Sequence, residues 1–199
     1  MYKQLGLLTK GHFTEVSRTD LIAGYQGQTA LKVKSVIEKA KGGVLFIDEA
    51  YSITENESTD SYGRECLTEL TKALEDYRDD LVVIVAGYSK PMEKFFESNQ
   101  GLKSRFNYFI EFGDYSSKEL MTILEHLCRQ DDYKLSNELK LSLERYLNSE
   151  IQKNTENFSN GRFVRNIYEK MLMKHAVRTD KLVSKSVDDL MELEVEDFQ

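Results

Sequence analysis

The chain has 199 residues, 40% hydrophobic and 31% charged, a balance that suits a soluble globular protein of one or two domains with a sizeable core. Its 27 basic and 34 acidic residues leave a formal charge of −7, which argues against an electrostatically driven nucleic-acid binder. No apolar run approaches the roughly 20 residues of a transmembrane helix, and the start, MYKQLGLLTKGHF, lacks the zones of a signal peptide, so no membrane partner is expected. Cys66 and Cys128 fall in helical patterns with no second Cys or patterned His nearby, which predicts reduced, packed thiols and a cytoplasmic address. His12, His126 and His175 are scattered without metal-ligand spacing.

In chain order, HFTEV (12–16) predicts a short strand, and TALKVKSVIEKAK (29–41) a helix with Leu31, Val33, Val36, Ile37 and Ala40 on its apolar side. GVLFI (43–47) lacks alternation, as a strand covered on both faces does. GRECLTELTKALEDYRDD (63–80) is an amphipathic helix with Leu67, Leu70, Leu74 and Tyr77 on one stripe. LVVIVAGY (81–88) reads as a second buried strand, SKPMEKFFES (89–98) as a short helix with Pro91 near its start, and YFIEF (108–112) as a third strand. This alternation predicts an α/β fold, a parallel sheet with helices on both faces, whose ligands bind beyond the carboxyl ends of the strands. After Asp114 the strand signals stop. Residues 116–130, 136–151 and 161–177 read as helices, so a boundary is placed near Tyr115, with an α/β core over 1–114 and a small helical domain over 115–199. The acidic end, DDLMELEVEDFQ, is expected to pack only weakly.

The chemistry concentrates in GGVLFIDEAYSI (42–53), where an apolar run ends in Asp48 and Glu49. This is the Walker B pattern: the Asp helps hold Mg²⁺ on a nucleotide and the Glu orients and polarises the attacking water. The plainer reading is a buried strand ending at a turn with two solvated acids. In LKSRF (102–106), Arg105 suits an arginine finger, because a guanidinium is always charged and meets phosphate oxygens as a fork. Lys103 is a weaker candidate, and a plain surface arginine is the other reading. NGRFVRNIYEK (160–170) opens a helix with Arg162 and Arg165 one turn apart, either a γ-phosphate contact or a basic face paired with Glu169. AGYQGQTA (23–30) is a Gly-flanked loop whose Tyr25 either presses on an extended peptide or folds into the core.

Together and in this order, KGHFTEVSRTDLIAGYQGQTA, GGVLFIDEAYSI, DDLVVIVAGYSKPMEKFFESNQGLKSRF, IEFGDYSSKEL and FSNGRFVRN resemble the AAA+ ATPases of the stage V sporulation protein K and CbbX family, over about Lys10 to His175. FSNGRFVRN and LKSRF fit the sporulation branch best. The resemblance implies a hexameric ring motor that couples ATP hydrolysis to remodelling or threading another protein, with ATP and Mg²⁺ as its cofactors. It makes Asp48 the metal-side acid, Glu49 the catalytic acid, Arg105 the arginine finger, Arg162 sensor 2 and Tyr25 the pore-loop aromatic. Sensor 1 belongs just past LVVIVAG, where Tyr88 and Ser89 are the nominees. The partner protein is not identified, and Rubisco, sporulation and secretion roles all stay open.

One family motif, G-x-x-x-x-G-K-S/T, has no counterpart in these 199 residues. It would supply the amide nest for the phosphates, the Lys on the β- and γ-phosphates and the Ser/Thr on Mg²⁺. The chain is therefore expected to be a partial core, inactive on its own within an ATPase that is active when intact. The alternative is a non-hydrolysing interaction domain or a degenerate subunit. The presence together of Glu49, Arg105 and Arg162 speaks against that alternative.

Overall fold

The structure, a computed structural model, describes residues 3–25, 27–54, 61–153, 158–184 and 186–198. The chain divides into two compact units, Met1–Glu111 and Phe112–Gln199.

In the first unit β1 (Phe13–Val16), β2 (Val44–Ile47) and β3 (Val82–Val85) form a parallel sheet in the order β1-β2-β3, with Val16 opposite Ile47 and Ile47 opposite Val85. The first crossover carries α1 (Arg18–Leu21) and α2 (Gln28–Ala40). The second carries a 3₁₀ turn (Ala50–Ile53) and α3 (Ser61–Asp76). After β3 come α4 (Ser89–Glu97) and α5 (Gln100–Lys103). Gly42 gathers the amino ends of the strands. Its carbonyl accepts the Lys10 and Gly11 amides at 2.8 and 2.7 Å, and its own N–H donates to the Asp80 carbonyl at 2.7 Å. Its φ of 86° is open to glycine and strained for other residues.

The core lies on one face of this sheet, where Val16, Leu45 and Ile47 meet Val33 and Ile37 of α2, Leu67 and Leu70 of α3, and Phe95 of α4. The other face carries Phe13, 61% exposed, stacked on Phe46, and Ile84, 40% exposed. Among the described residues, then, helices cover one face of the sheet, where the sequence predicts helices on both. Two successive right-handed crossovers moving the same way along a sheet put both connecting helices on one side, and covering the second face takes a reversal of strand order. The same topology leaves β3 at an edge, half-exposed where the sequence predicted a buried strand.

Two further expectations change. Residues 108–112 form no strand: Tyr108, Phe109, Ile110 and Phe112 are exposed, and only Phe109 rests edge-on against Phe96, 5.2 Å away. β propensity describes a fit to a paired, half-buried surface, and among the described residues this segment has no ladder partner. Leu31, placed on the apolar side of α2, is 66% exposed, and the buried positions there are Thr29, Val33, Val36, Ile37 and Ala40.

The second unit is built on α6 (Ser117–Gln130), α7 (Asn137–Gln152) and α8 (Asn160–Asp180), packed through Leu120, Leu124, Leu139, Leu143, Leu147, Val164 and Met171. Ser116 and Glu119 form a capping box at the start of α6, which holds the Glu119 carboxyl below its ordinary range, and Ser136 caps α7. Strand signals do not stop entirely, because β4 (Lys134–Leu135) pairs in parallel with β5 (Glu192–Leu193). β5 sits between α9 (Val187–Met191) and α10 (Val195–Phe198). The acidic end is firmly packed, which overturns the weak packing expected of it. Leu193 and Asp197 are buried, and Phe198 stands edge-on to Tyr146 at 5.2 Å. Both cysteines are free and buried, as predicted. Among the described residues no helix is long and apolar enough to cross a membrane.

Candidate functional site

β2 is buried through Ile47, and the two residues that follow, Asp48 and Glu49, are exposed. The Asp48 N–H donates to the Val16 carbonyl at 3.1 Å, so the β1–β2 ladder carries the chain one residue past the strand. Asp48 Oδ1 then accepts the Glu49 N–H at 3.0 Å. Glu49 has φ 47° and ψ 46°, the left-handed region, which costs an L-residue roughly 1–2 kcal/mol. That conformation turns the chain sharply off the strand into the 3₁₀ turn, whose Ala50 and Ile53 are buried. The Ala50 N–H donates to the Ala86 carbonyl at 3.0 Å, and the Ala86 N–H to the Ile47 carbonyl at 2.9 Å. Core packing and these backbone bonds therefore hold a strained glutamate on the carboxyl edge of the sheet, the edge where parallel α/β proteins bind ligands.

Tyr88 and Ser89 stand on the same edge, just past β3, with Tyr88 capping α4 and Ser89 opening it. The Tyr88 ring lies 6.3 Å from Tyr51 in the 3₁₀ turn. The chain passes here because residue 87 is glycine: a Cβ would come within 2.7 Å of Tyr51 Cδ1 and 2.9 Å of Met92 Sδ. Four of the residues singled out in the sequence, Asp48, Glu49, Tyr88 and Ser89, thus share one edge.

The others lie elsewhere. Arg105 follows α5 and is folded back, its Nη1 donating to the Gly101 carbonyl at 2.8 Å and its Nε 3.4 Å from the Glu75 carboxylate. Glu75 sits in the last turn of α3, which delivers the chain to the amino end of β3, so Arg105 is held at the end of α3 opposite to the one that follows the acids. Lys103 is exposed at the end of α5. Tyr25 is 74% exposed in the loop before α2. In the second unit Arg162 and Arg165 are exposed on the first turns of α8. The start of that helix is fixed by Asn160, whose Nδ2 donates to Asp114 Oδ1 at 2.6 Å and whose Oδ1 accepts the Tyr115 N–H at 2.9 Å.

Among the described residues no group of three or more His, Cys, Asp and Glu converges as a metal cage. A magnesium site needs no such cage, since one or two carboxylates can hold the ion while waters and phosphate oxygens complete the octahedron. Asp48, exposed at the sheet edge, could serve as such a carboxylate. Sequence reasoning assigned no role to Tyr51, Gly87 or Arg18. Their partners lie on other elements, and no local pattern marks them.

Adjacent exposed acids on the carboxyl edge of a parallel sheet, followed in sequence by a helical unit, place the chain among α/β proteins, whose ligands bind at that edge. Residues 2–114 match the family model "ATPase family associated with various cellular activities (AAA)" and residues 116–199 match "AAA lid domain", so the chain belongs to the AAA ATPase family. Among curated relatives it is 42% identical over 175 residues to protein CbbX of Cereibacter sphaeroides, covering 88% of this chain and 56% of that protein. It is 41% identical over 180 residues to stage V sporulation protein K of Bacillus subtilis (strain 168), covering 89% and 55%. Against the protein CfxQ homolog of Trieres chinensis it is 40% identical over 199 residues, covering 98% and 67%. The chain thus spans about 55–67% of the length of these relatives. The AAA domain of FIGL-1 in complex with ADP shares the fold, with a TM-score of 0.59 at 19% identity over 92% of this chain and 59% of that one.

Proposed function

We propose that the intact protein hydrolyses ATP and uses the cycle to remodel or thread a partner protein, working as a homo-oligomeric ring, with a hexamer as the expected size. The observation that carries the hydrolytic part is the Asp48–Glu49 pair, exposed where buried β2 ends, with Glu49 held left-handed by the turn behind it. Asp48 would hold Mg²⁺, which when bound neutralises charge on the transferred phosphoryl group. Glu49 accepts the hydrogen bond of the attacking water and draws off its proton. Tyr88 and Ser89, on the same edge, offer hydroxyls for orienting the γ-phosphate and that water.

Arg105 serves a neighbouring subunit. Its tether to Gly101 and Glu75, away from its own acids, supports action in trans, and rings closed by head-to-tail contacts present such a residue to the next site. Arg162, exposed on the first turn of α8, is proposed as sensor 2, with Arg165 one turn on as the alternative. Tyr25 grips the polypeptide substrate, which its exposure supports.

In the intact protein, Glu49→Gln is expected to keep ATP binding and lose most hydrolysis, and wild-type turnover would remove Glu49 from this role. The 199 residues alone, lacking a phosphate-loop motif, are expected to show no ATPase activity and weak nucleotide affinity at best. Calorimetry with Mg-ATP checks this, and a micromolar Kd contradicts it.

A further inference from the structure

The geometry assigns Arg18 as a positioning residue that couples the turn bearing Glu49 to the loop bearing Tyr25. This rests on the ATPase reading above and adds to it a physical link between the two ends of the motor.

The link begins in a tetrapeptide, Ser17-Arg18-Thr19-Asp20, at the carboxyl end of β1. The Ser17 N–H and hydroxyl both donate to Asp20 Oδ2 at 2.8 Å, a local lock that also holds the Asp20 carboxyl below its ordinary range. Leu21, 1% exposed, pins the same turn into the core. α1 is therefore a short, stiff mount, and Arg18 projects from its first position. Arg18 Nη1 donates to the Ser52 carbonyl, inside the 3₁₀ turn that begins one residue after Glu49. The positive charge of Arg18 also acts on the buried Cys66 thiol of α3, opposing the upward push of burial. A planar guanidinium holds an acceptor in a set direction, which a flexible ammonium does not. The strained backbone of Glu49 is thus braced from behind by a side chain 34 residues away in sequence.

On its other side α1 runs straight into the Tyr25 loop, and both roots of that loop are tied. Lys32 Nζ donates to the Thr19 carbonyl at 2.5 Å and the Ile22 carbonyl at 3.2 Å. The hydroxyl of fully buried Thr29 accepts the Ala23 N–H at 3.2 Å. Between these ties Tyr25 is exposed. A change in the turn when Glu49 engages a nucleotide is passed through Ser52 and Arg18 to α1, and α1 moves the loop root as a unit. A bistable element is what makes such a link a coupling rather than a contact, so the test reads the loop directly.

These 199 residues hold no tryptophan, so Tyr25→Trp adds an emission reporter at the loop, read as the difference from intact protein that keeps Tyr25. In intact protein carrying Tyr25→Trp and Glu49→Gln, Mg-ATP is expected to shift the tryptophan emission. Adding Arg18→Ala is expected to shrink that shift about fivefold or more at Mg-ATP concentrations that calorimetry shows to be saturating for each variant, with Arg18→Lys restoring part of it. Should Arg18→Ala not fold, Arg18→Gln is read in its place. A full-sized shift without Arg18 overturns the inference, as does the absence of any shift in protein that binds Mg-ATP and still carries Arg18. Intact protein that binds no Mg-ATP by calorimetry sinks the ATPase reading itself and this inference with it.

Discussion

Arg178 of α8 holds Asp197 of α10 by two parallel hydrogen bonds, Nε to Oδ1 and Nη2 to Oδ2, each 2.9 Å long. The pair is the centre of a buried network. The Glu194 N–H donates to Asp197 Oδ2 at 2.8 Å, and Arg178 Nη2 also lies 3.0 Å from the Glu192 carbonyl and 3.1 Å from His175 Nδ1. His175 Nε2 lies 3.1 Å from the Leu190 carbonyl, an atom that only accepts, so Nε2 carries the proton and Nδ1 is the acceptor for Arg178. Burial pushes the Asp197 carboxyl up, but the Arg178 fork and the Glu194 amide outweigh it and hold it below the ordinary range. This network docks the acidic end of the chain.

Asp197→Asn removes the charge facing a guanidinium that is itself mostly buried, and it is expected to destabilise the second unit by about 3 kcal/mol. Chemical denaturation followed by circular dichroism measures it. Because the folded carboxyl titrates below the unfolded value of about 3.9, its contribution is complete above that pH and is lost as pH falls through the folded value. The variant should accordingly show a flatter acid limb than the parent.

Burial raises the Cys66 thiol to about 12 and the Cys128 thiol to about 11, so neither forms much thiolate at neutral pH. Single-cysteine variants are expected to react with an aromatic disulfide reagent at least about 100-fold more slowly when folded than when unfolded. Cys66 reports the opening of the first unit and Cys128 that of the second. Fast labelling of the native chain would contradict the packing.

Gly42→Ala places a Cβ 2.6 Å from Thr9 Oγ1 and 3.0 Å from Lys10 Cγ on a backbone at positive φ. A loss of about 1–3 kcal/mol is expected in a denaturant titration. Gly161→Ala is the contrast, since its Cβ meets nothing within 4 Å and it lies in the first turn of α8. That change is expected to stabilise the chain by up to about 1 kcal/mol, because the unfolded chain loses conformational freedom.

Intact protein with Glu49→Gln and intact protein with Arg105→Ala are each expected to lose about 100-fold or more in ATP turnover. Mixed together they should regain part of it, since a Glu49→Gln subunit can lend Arg105 to a neighbour that keeps Glu49. An enzyme-coupled phosphate assay reads the recovery. Its absence, in mixtures shown to co-assemble, would place Arg105 outside the neighbour's site.

Much of this protein is legible in the chain alone. Residues 12–16 and 43–47 were expected as strands and contain Phe13–Val16 and Val44–Ile47, and the helical stretches of both units fall where their apolar periods put them. The edge position of Asp48 and Glu49 follows from the same reading, because an unbroken apolar run demands burial and adjacent acids demand exposure. These signals are local: strand and helix periods and the cost of burying charge act over a few residues.

What tertiary structure alone decided depends on partners far along the chain. Residues 108–112 have strand composition, but a strand exists only in a ladder, and no described residue supplies one. The acidic end looks solvated until Arg178, 19 positions before Asp197, removes the penalty of burying a carboxylate. The open face of the sheet follows from the direction of two crossovers, and the Arg18–Ser52 contact from where β1 and β2 end side by side. Local sequence sets which elements form and which groups seek water. Which distant charge or strand each one meets is set only when the chain closes on itself.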